Sequence, residues 1–259
     1  MRPAWRLPLA GLTLMLGACA SVPRPGPAPV PAGPPPYPAW QRVLERHVDA
    51  QGRLDFAAIA HNRADLDRFV AYIYDISPES QPALFAGPAQ VLAYHLNAYN
   101  ALALHKVLER GIPRTLAGWR KLSFFYFGPV QVGGNRMSLW HYENRVIRPL
   151  GDPRIHFALN CLSVSCPRLP REPFLPERLD EQLEREARAF FADPRNLQVD
   201  HAREQVVLSA ILRFYTEDFL AAAPSLLAYV NRYSPQPVPE TYAVRFAPYD
   251  WTINRQPGT

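Results

Sequence analysis

Cysteine is scarce in this chain. It has three cysteines among 259 residues, and only Cys161 and Cys166 fall in the part that can form a folded domain. Four residues separate these two thiols. That spacing matches neither the strong zinc-binding patterns nor the two-residue spacing of redox thiol pairs. A metal site built from His141, Glu143, His156 and the cysteines is therefore disfavoured, and we predict no metal and no cofactor.

Long apolar runs and clustered charges are also missing. Residues 7–16 form an apolar run of about ten residues, which is too short to span a bilayer as a helix. No other segment is long and apolar enough to do so. The formal net charge is +5, but the Lys and Arg residues are scattered along the sequence. We therefore predict no nucleic-acid partner.

The first residues have the form of an export signal. Arg2 and Arg6 precede the apolar run, and Leu16-Gly17-Ala18-Cys19 follows it. This arrangement resembles a bacterial lipobox, which implies a signal peptide over residues 1–18 and acylation of Cys19, so that a lipid anchor reaches the membrane. Ala20 resembles the sorting residue of outer-membrane lipoproteins and implies an envelope address that faces the periplasm. The alternative is an ordinary secretory signal in which Cys19 is incidental.

Residues 19–38 are predicted to be a tether, because nine of the eighteen residues from 21 to 38 are proline. Such a segment favours extended polyproline II and could hold a domain up to roughly 55 Å from the lipid. Its alternative role is to bind a proline-recognising module. Residues 39–255 contain no second Pro/Gly-rich linker and no internal repeat, so we predict that they form one domain.

Apolar periodicity predicts that helices dominate this domain, with a small sheet in the middle. The helices are expected over residues 39–48, 63–76, 88–110, 139–148, 176–192, 210–219 and 224–233. The strands are expected over residues 123–127, 130–132, 136–139 and 154–160, with a hairpin formed by 197–199 and 205–208. The fold class that follows is α+β: a mainly helical single domain with a small central antiparallel sheet.

Two asparagines are unusual in the longest predicted helix. Asn97 and Asn100 are three residues apart and share a face that is otherwise apolar. Buried amides without partners cost about 1–3 kcal/mol each, so both need hydrogen bonds. They tie the helix to a neighbouring segment, or they orient a substrate amide or a catalytic side chain.

His156 and the two cysteines are the candidates for nucleophilic chemistry. On a straight strand His156 and Cys161 lie about 16 Å apart on opposite faces, so the chain must fold back before they can meet. Cys166 has more freedom to return, and the sequence does not choose between the thiols. Glu143 is a candidate third member that fixes the histidine tautomer. Its alternative role is a surface charge beside Arg145 or Arg148.

Four motifs together resemble the family called domain of unknown function 547. These motifs are Asn97-Ala98-Tyr99-Asn100-Ala101-Leu102, the segment 139–148, His156 to Cys161 with Ser165-Cys166-Pro167, and Tyr249-Asp250-Trp251-Thr252-Ile253-Asn254. The resemblance covers about residues 40–254. It suggests a papain-like or transglutaminase-like thiol site, whose positions here are Asn97, Asn100, Glu143, His156, Cys161 and Cys166. One departure is the larger Leu162 after the first cysteine, which can narrow a cleft.

Two functions remain open at this point. The first is a non-catalytic binding or scaffold module of the envelope, in which an oxidising compartment favours a Cys161–Cys166 disulfide. The second is a thiol-dependent hydrolase or transferase that acts on an amide or ester, with His156 moving the proton. In that case backbone amides of the loop 162–165 are expected to stabilise an oxyanion. The sequence names no protein or small-molecule partner.

Overall fold

A computed structural model describes residues 33–259 of the protein. The predicted signal peptide, Cys19 and most of the predicted tether lie outside these residues. The α-helices are α1 (Tyr37–His47), α2 (Phe56–His61), α3 (Ala64–Asp75), α4 (Pro88–Glu109), α5 (Trp119–Leu122), α6 (Leu139–His141), α7 (Leu179–Ala192), α8 (Ala210–Phe214), α9 (Thr216–Ala222) and α10 (Leu226–Val230). The strands are β1 (Pro129–Val132), β2 (Asn135–Ser138), β3 (Leu197–Asp200), β4 (Gln205–Leu208) and β5 (Ala243–Phe246). None of the helices in this part of the chain is long and apolar enough to span a bilayer.

Helix α4 is the centre of the larger core. It begins with Pro88 at its first turn, and the chain leaves it through Gly111, whose φ of 68° suits a residue without a side chain. Every residue from 92 to 108 is buried. The sequence prediction of a central helix that is buried nearly all round is therefore confirmed. Helices α1 and α3 pack in the same apolar cluster as α4.

The strands form two small sheets rather than one. Strands β1 and β2 make an antiparallel hairpin, and β3 and β4 make a second one in the predicted place. Strand β5 adds to β4 in parallel, so the second sheet is mixed. The mainly helical α+β class is confirmed. Strand β5 was not predicted, because its pairing partner lies about 35 residues earlier in the chain and its own four residues show no buried side chain.

Two predicted strands are wrong. The aromatic-rich segment Ser123–Phe127 continues from α5 as a π-helix, and Phe124 points into the core. The segment predicted as a strand over 154–160 begins as a 3₁₀-helix, Pro153–Phe157. Pro153 occupies the first turn of this helix, and the Asp152 carboxylate accepts the Arg154 N–H as an N-cap. These local signals outweigh the apolar run that favoured a strand.

The 3₁₀-helix lies between two core clusters. Phe157 packs in a second, aromatic cluster, with ring centroids 4.7 Å from Phe190 and 5.2 Å from Phe191. The next residues, Ala158 and Leu159, pack in the larger cluster around α4. His156 is thereby held between the two clusters rather than on a sheet.

Asn97 joins three separate segments inside the larger core. Its Oδ1 accepts the Trp40 indole N–H at 3.2 Å and the Phe174 backbone N–H at 3.0 Å. Its Nδ2 donates to the carbonyls of Ala93 at 2.8 Å and Phe174 at 2.7 Å. These bonds link α1, α4 and the segment that precedes α7, and they leave the amide well satisfied.

We therefore expect Asn97→Ala to destabilise the protein strongly. The change leaves the Trp40 indole N–H and the Phe174 backbone N–H without an acceptor in the core, and each unpaired group costs about 1–3 kcal/mol. The free energy of unfolding measured in urea should fall by about 3 kcal/mol or more. Gln198→Ala is the matched control, since its amide makes a single exposed bond to Pro194, and it should stay within about 0.5 kcal/mol of the wild type. A loss below about 1 kcal/mol for Asn97→Ala contradicts the role of this amide as a tie.

Candidate functional site

The Asn100 side chain fixes the start of the cysteine loop. Its Nδ2 donates to the Ala158 carbonyl at 3.0 Å, and its Oδ1 accepts the Asn160 N–H at 2.8 Å. The Asn160 side chain then accepts the Leu162 N–H at 2.6 Å and donates to the Pro167 carbonyl at 2.5 Å. The chain therefore turns back directly after Asn160, as the sequence required for a histidine–cysteine site.

The C-terminal segment 249–254 holds the other side of the loop. Val164 N–H donates to the Thr252 carbonyl and Asn254 N–H donates to the Leu162 carbonyl, both at 2.8 Å. Leu162 is fully buried with a φ of 70°, an uncommon conformation for a leucine. The pairing on both sides of Leu162 and its burial hold it there. The motif that includes Tyr249 is thus a wall of the cysteine loop.

The two sulfurs lie in contact. Cys161 Sγ and Cys166 Sγ are 2.6 Å apart, and both residues are buried with free thiols. The Cys161 backbone N–H donates to Cys166 Sγ at 3.1 Å, and the Tyr249 hydroxyl lies 3.1 Å from the same sulfur. Ser163 Oγ donates to the Tyr249 hydroxyl at 3.1 Å, which leaves the phenolic hydrogen directed to Cys166.

These hydrogen-bond donors give the two thiols different pKa values. Burial by itself raises the pKa of Cys166, but hydrogen bonds from Cys161, the Ser163 backbone and Tyr249 outweigh it and bring the pKa to about 6. Burial raises the pKa of Cys161 well above its usual range, and the neighbouring Cys166 adds to that rise. Cys166 is therefore the thiolate of the pair near neutral pH, and Cys161 is the thiol.

His156 is paired with a carboxylate that the sequence did not reveal. Its Nε2 donates to Asp218 Oδ2 at 2.7 Å, and Arg148 binds both oxygens of Asp218 at 2.7 and 2.8 Å. Burial raises the pKa of Asp218, but the bonds from His156 and Arg148 hold it well below its usual range. The Tyr215 ring stacks on the imidazole with centroids 3.8 Å apart. Asp218 thus fixes the ring and holds the Nε2 proton, which leaves Nδ1 as the nitrogen that can take up or release a proton.

Glu143 has different partners from those expected. It is buried on the π-helix Tyr142–Ile147, and its two oxygens accept the hydroxyls of Tyr99, at 2.7 Å, and Tyr215. It is neither a surface charge beside Arg145 or Arg148 nor the partner of the imidazole. Tyr215 connects it to His156, because the same ring that stacks on the imidazole donates its hydroxyl to Glu143.

A cavity of about 60 Å³ brings most of these groups together. Its lining includes His156, Glu143 and both cysteines, with Tyr249 and Tyr215 beside them. This volume holds a few water molecules or a group of a few heavy atoms, and it is far below the size of pockets that enclose whole ligands. Asn97 and Asn100 do not line it: the structure places both amides in hydrogen bonds to the protein backbone.

Three of the four loop amides predicted to stabilise an oxyanion are occupied. Leu162 N–H donates to Asn160, Val164 N–H to Thr252, and Ser165 N–H to Asp250. These bonds build the loop, so the amides do not face an incoming carbonyl. Within residues 33–259, no three His, Cys, Asp or Glu side chains are placed to hold a metal ion.

Comparison with known proteins supports the family resemblance over part of the chain. Residues 86–191 match the family model described as "Protein of unknown function, DUF547". The matched region contains Asn97, Asn100, Glu143, His156 and the two cysteines, but it ends before Asp218 and Tyr249. No curated protein and no solved structure matches the chain. The site is thus a histidine–thiol arrangement on a domain that resembles a family without an assigned activity.

The Tyr249 hydroxyl provides a direct test of the thiolate. Alkylation of Cys166 in the reduced protein should accelerate as the pH rises through about 6, because the thiolate is the reactive form above its pKa. Tyr249→Phe removes one donor to a charged sulfur, a bond worth about 1.5–3 kcal/mol, so the rise should move up by roughly 1–2 pH units. Iodoacetamide rates, followed by peptide mass spectrometry, measure both profiles.

Tyr242→Phe is the matched control, since the Tyr242 hydroxyl contacts only the exposed ring of His201. It should leave the profile unchanged. An unchanged profile in Tyr249→Phe, or faster alkylation of Cys161 than of Cys166, contradicts the assignment of the thiolate.

Proposed function

We propose that the protein is a cysteine-dependent hydrolase or transferase that acts on a small acyl group of an ester or amide. Cys166 is the nucleophile, and His156 is the general acid and base. The observation that carries this proposal is that the hydrogen-bonded Cys166 sulfur and the His156 ring, which Asp218 holds, line one cavity. A loop that serves only for packing needs neither a stabilised thiolate nor a histidine held by a partly buried carboxylate.

The reaction has two steps. The reaction starts from the Cys166 thiolate and a His156 ring that carries a proton on Nδ1. The thiolate attacks the carbonyl carbon, a C–S bond forms, and the C–O or C–N bond breaks as the Nδ1 proton passes to the leaving group. Water then attacks the thioester, His156 takes a proton from that water, and the C–S bond breaks to return the thiolate and release the acid. Another acceptor in place of water gives transfer rather than hydrolysis. Asp218 holds the imidazole throughout.

Tyr249 takes the role that the three occupied loop amides cannot take. In the resting site its hydroxyl stabilises the negative charge on Cys166. Once sulfur bonds to carbon, that charge moves to the substrate oxygen, and the hydroxyl is released to donate there. The cavity volume of about 60 Å³ limits the part of the substrate that enters to a few heavy atoms. The leaving group then lies outside, beside the exposed ring of Phe214.

We expect p-nitrophenyl acetate to acylate the reduced protein, because its acetyl group fits the cavity. The expected result is a burst of p-nitrophenolate equal to the protein concentration, with an acetyl group on Cys166 by peptide mass spectrometry. Cys166→Ser should abolish the burst. Asp218→Asn should slow the following release of acetate by at least about tenfold, because the imidazole loses its orienting carboxylate.

Asp193→Asn is the matched control for Asp218→Asn. Asp193 also pairs with an arginine, Arg195, but its carboxylate does not hold His156. It should leave both phases unchanged. A full burst in Cys166→Ser, or acetylation that does not depend on a reduced site, contradicts the proposal.

A second candidate function is favoured by the contact between the two sulfurs. At 2.6 Å they need little movement to form a disulfide, and an oxidising compartment promotes that bond. The domain would then be a non-catalytic binding or scaffold module with a closed loop. Thiol counting by mass spectrometry on protein isolated without reductant separates the two candidates, since the closed form has two fewer free thiols and gives no burst.

We also propose that the protein is an envelope lipoprotein of the outer membrane that faces the periplasm, anchored through Cys19. Support comes from the basic start, the short apolar run and the lipobox-like residues before Cys19. In cells fed with labelled palmitate, the protein should carry the label, and Cys19→Ala should lose it and leave the membrane fraction. An unlabelled wild-type protein contradicts the anchor.

A further inference from the structure

A long part of the chain carries positive charge without any negative charge. No Asp or Glu occurs from residue 110 to residue 142. The same 33 residues contain five cations, Arg110, Arg114, Arg120, Lys121 and Arg136. The basic residues are scattered along the whole chain, but in this segment no acid offsets them. A surface built from it attracts anions over the distance of a Debye length.

The structure exposes large aromatic rings in the same segment. Trp119 is 70% exposed and Phe127 is 59% exposed, and Tyr126 is also exposed. The rings of Trp119 and Phe127 stack with centroids 5.5 Å apart, and Tyr126 stacks on Trp140 at 5.7 Å. Rings that pack on one another in solvent, rather than into the core, form a preorganised apolar patch.

The nearby cations are not paired with carboxylates of residues 33–259. Among residues 33–259, the salt bridges do not include Arg114, Arg120, Lys121 or Arg136. The three arginines of this group are exposed. Lys121 lies 4.5 Å above the Trp251 ring, a contact that keeps its charge. The aromatic-basic surface, formed by Trp119, Arg120, Lys121, Tyr126 and Phe127, therefore offers rings and free positive charge together.

We infer that the aromatic-basic surface docks on an anionic lipid bilayer. Tryptophan and tyrosine rings are favoured at the headgroup level, where one part of the ring is apolar and another is wet. Arginine and lysine beside them gain from the negative surface potential of anionic headgroups. Neither feature alone selects a membrane. Their combination in nine successive residues, without an acidic neighbour, matches the charge and polarity of that surface.

Docking of this surface brings the cavity close to the bilayer. Phe125 belongs to the same π-helix as Tyr126 and Phe127, and it lines the cavity with Trp251. Trp251 in turn contacts Lys121 and Phe125. The inference goes beyond the proposed reaction and does not depend on it, because it concerns only where the domain lies.

The test is amide hydrogen exchange on the full chain with Cys19→Ser, which prevents acylation. The chain is mixed with vesicles of equimolar phosphatidylglycerol and phosphatidylcholine, or with vesicles of phosphatidylcholine alone. We expect residues 119–127 to gain protection on the anionic vesicles only, and to lose it at high salt. Peptic peptides resolve this segment from the N-terminal residues, so binding through the apolar leader does not imitate the result.

Two double variants test whether the positive charges of the aromatic-basic surface cause the binding. Arg120→Gln with Lys121→Gln should weaken the salt-dependent vesicle binding by about twenty-five-fold, from about fivefold per cation. The charge-matched control is Arg188→Gln with Arg203→Gln, whose side chains are exposed and lie outside the segment. It should bind as the parent chain does. Absence of protection at 119–127, equal protection on neutral vesicles, or protection by peptidoglycan fragments instead of vesicles overturns the inference.

Discussion

The Asn100 amide is the interaction on which the candidate site depends. It uses both of its ends on the backbone of residues 158–160, and so it fixes the point at which the chain leaves the 3₁₀-helix and enters the cysteine loop. His156 lies on one side of that point and Cys161 on the other. Without the Asn100 hydrogen bonds nothing fixes the reversal of the chain at this point, and the imidazole and the sulfurs can move apart. A polar tie inside an apolar core thus specifies the geometry of the site.

The remaining polar groups form two networks around the cavity. One joins Arg148, Asp218 and His156, and the other joins Glu143 to two tyrosine hydroxyls. Tyr215 belongs to both, since it stacks on the imidazole and donates to Glu143. Buried groups of this kind are costly unless all are paired, so each network holds its members in one arrangement. Such rigidity suits a small cavity better than a site that must open widely.

The sequence could predict the helices and most of the candidate residues, and the reasons are local. Helix α4 is specified by its apolar run, Pro88 and Gly111, and Ser138 and Ser209 cap the helices that follow them. The same local reasoning failed at residues 153–157. A short apolar run fits a strand and a 3₁₀-helix equally well, and the Asp152 cap decides between them. The carboxylate that holds the His156 imidazole could not be identified from the sequence, which offered Glu143 for this role. The observed partner, Asp218, lies 62 residues after His156, and no spacing rule links the two residues. From the sequence, Tyr249 could be identified only as part of the motif 249–254. Its position over the sulfurs comes from the pairing of segment 249–254 with the loop.

The distance along the chain between Cys166 and Tyr249 has a consequence for biosynthesis. Tyr249 follows the sulfur by 83 residues, and the segment around it completes the hydrogen bonding of the cysteine loop. A nascent chain that has emerged only as far as the cysteines lacks this hydroxyl and the wall that carries it. Its thiols then have the ordinary reactivity of an unfolded polypeptide. The thiolate of Cys166 is therefore stabilised only after the late segment has folded onto the cysteine loop.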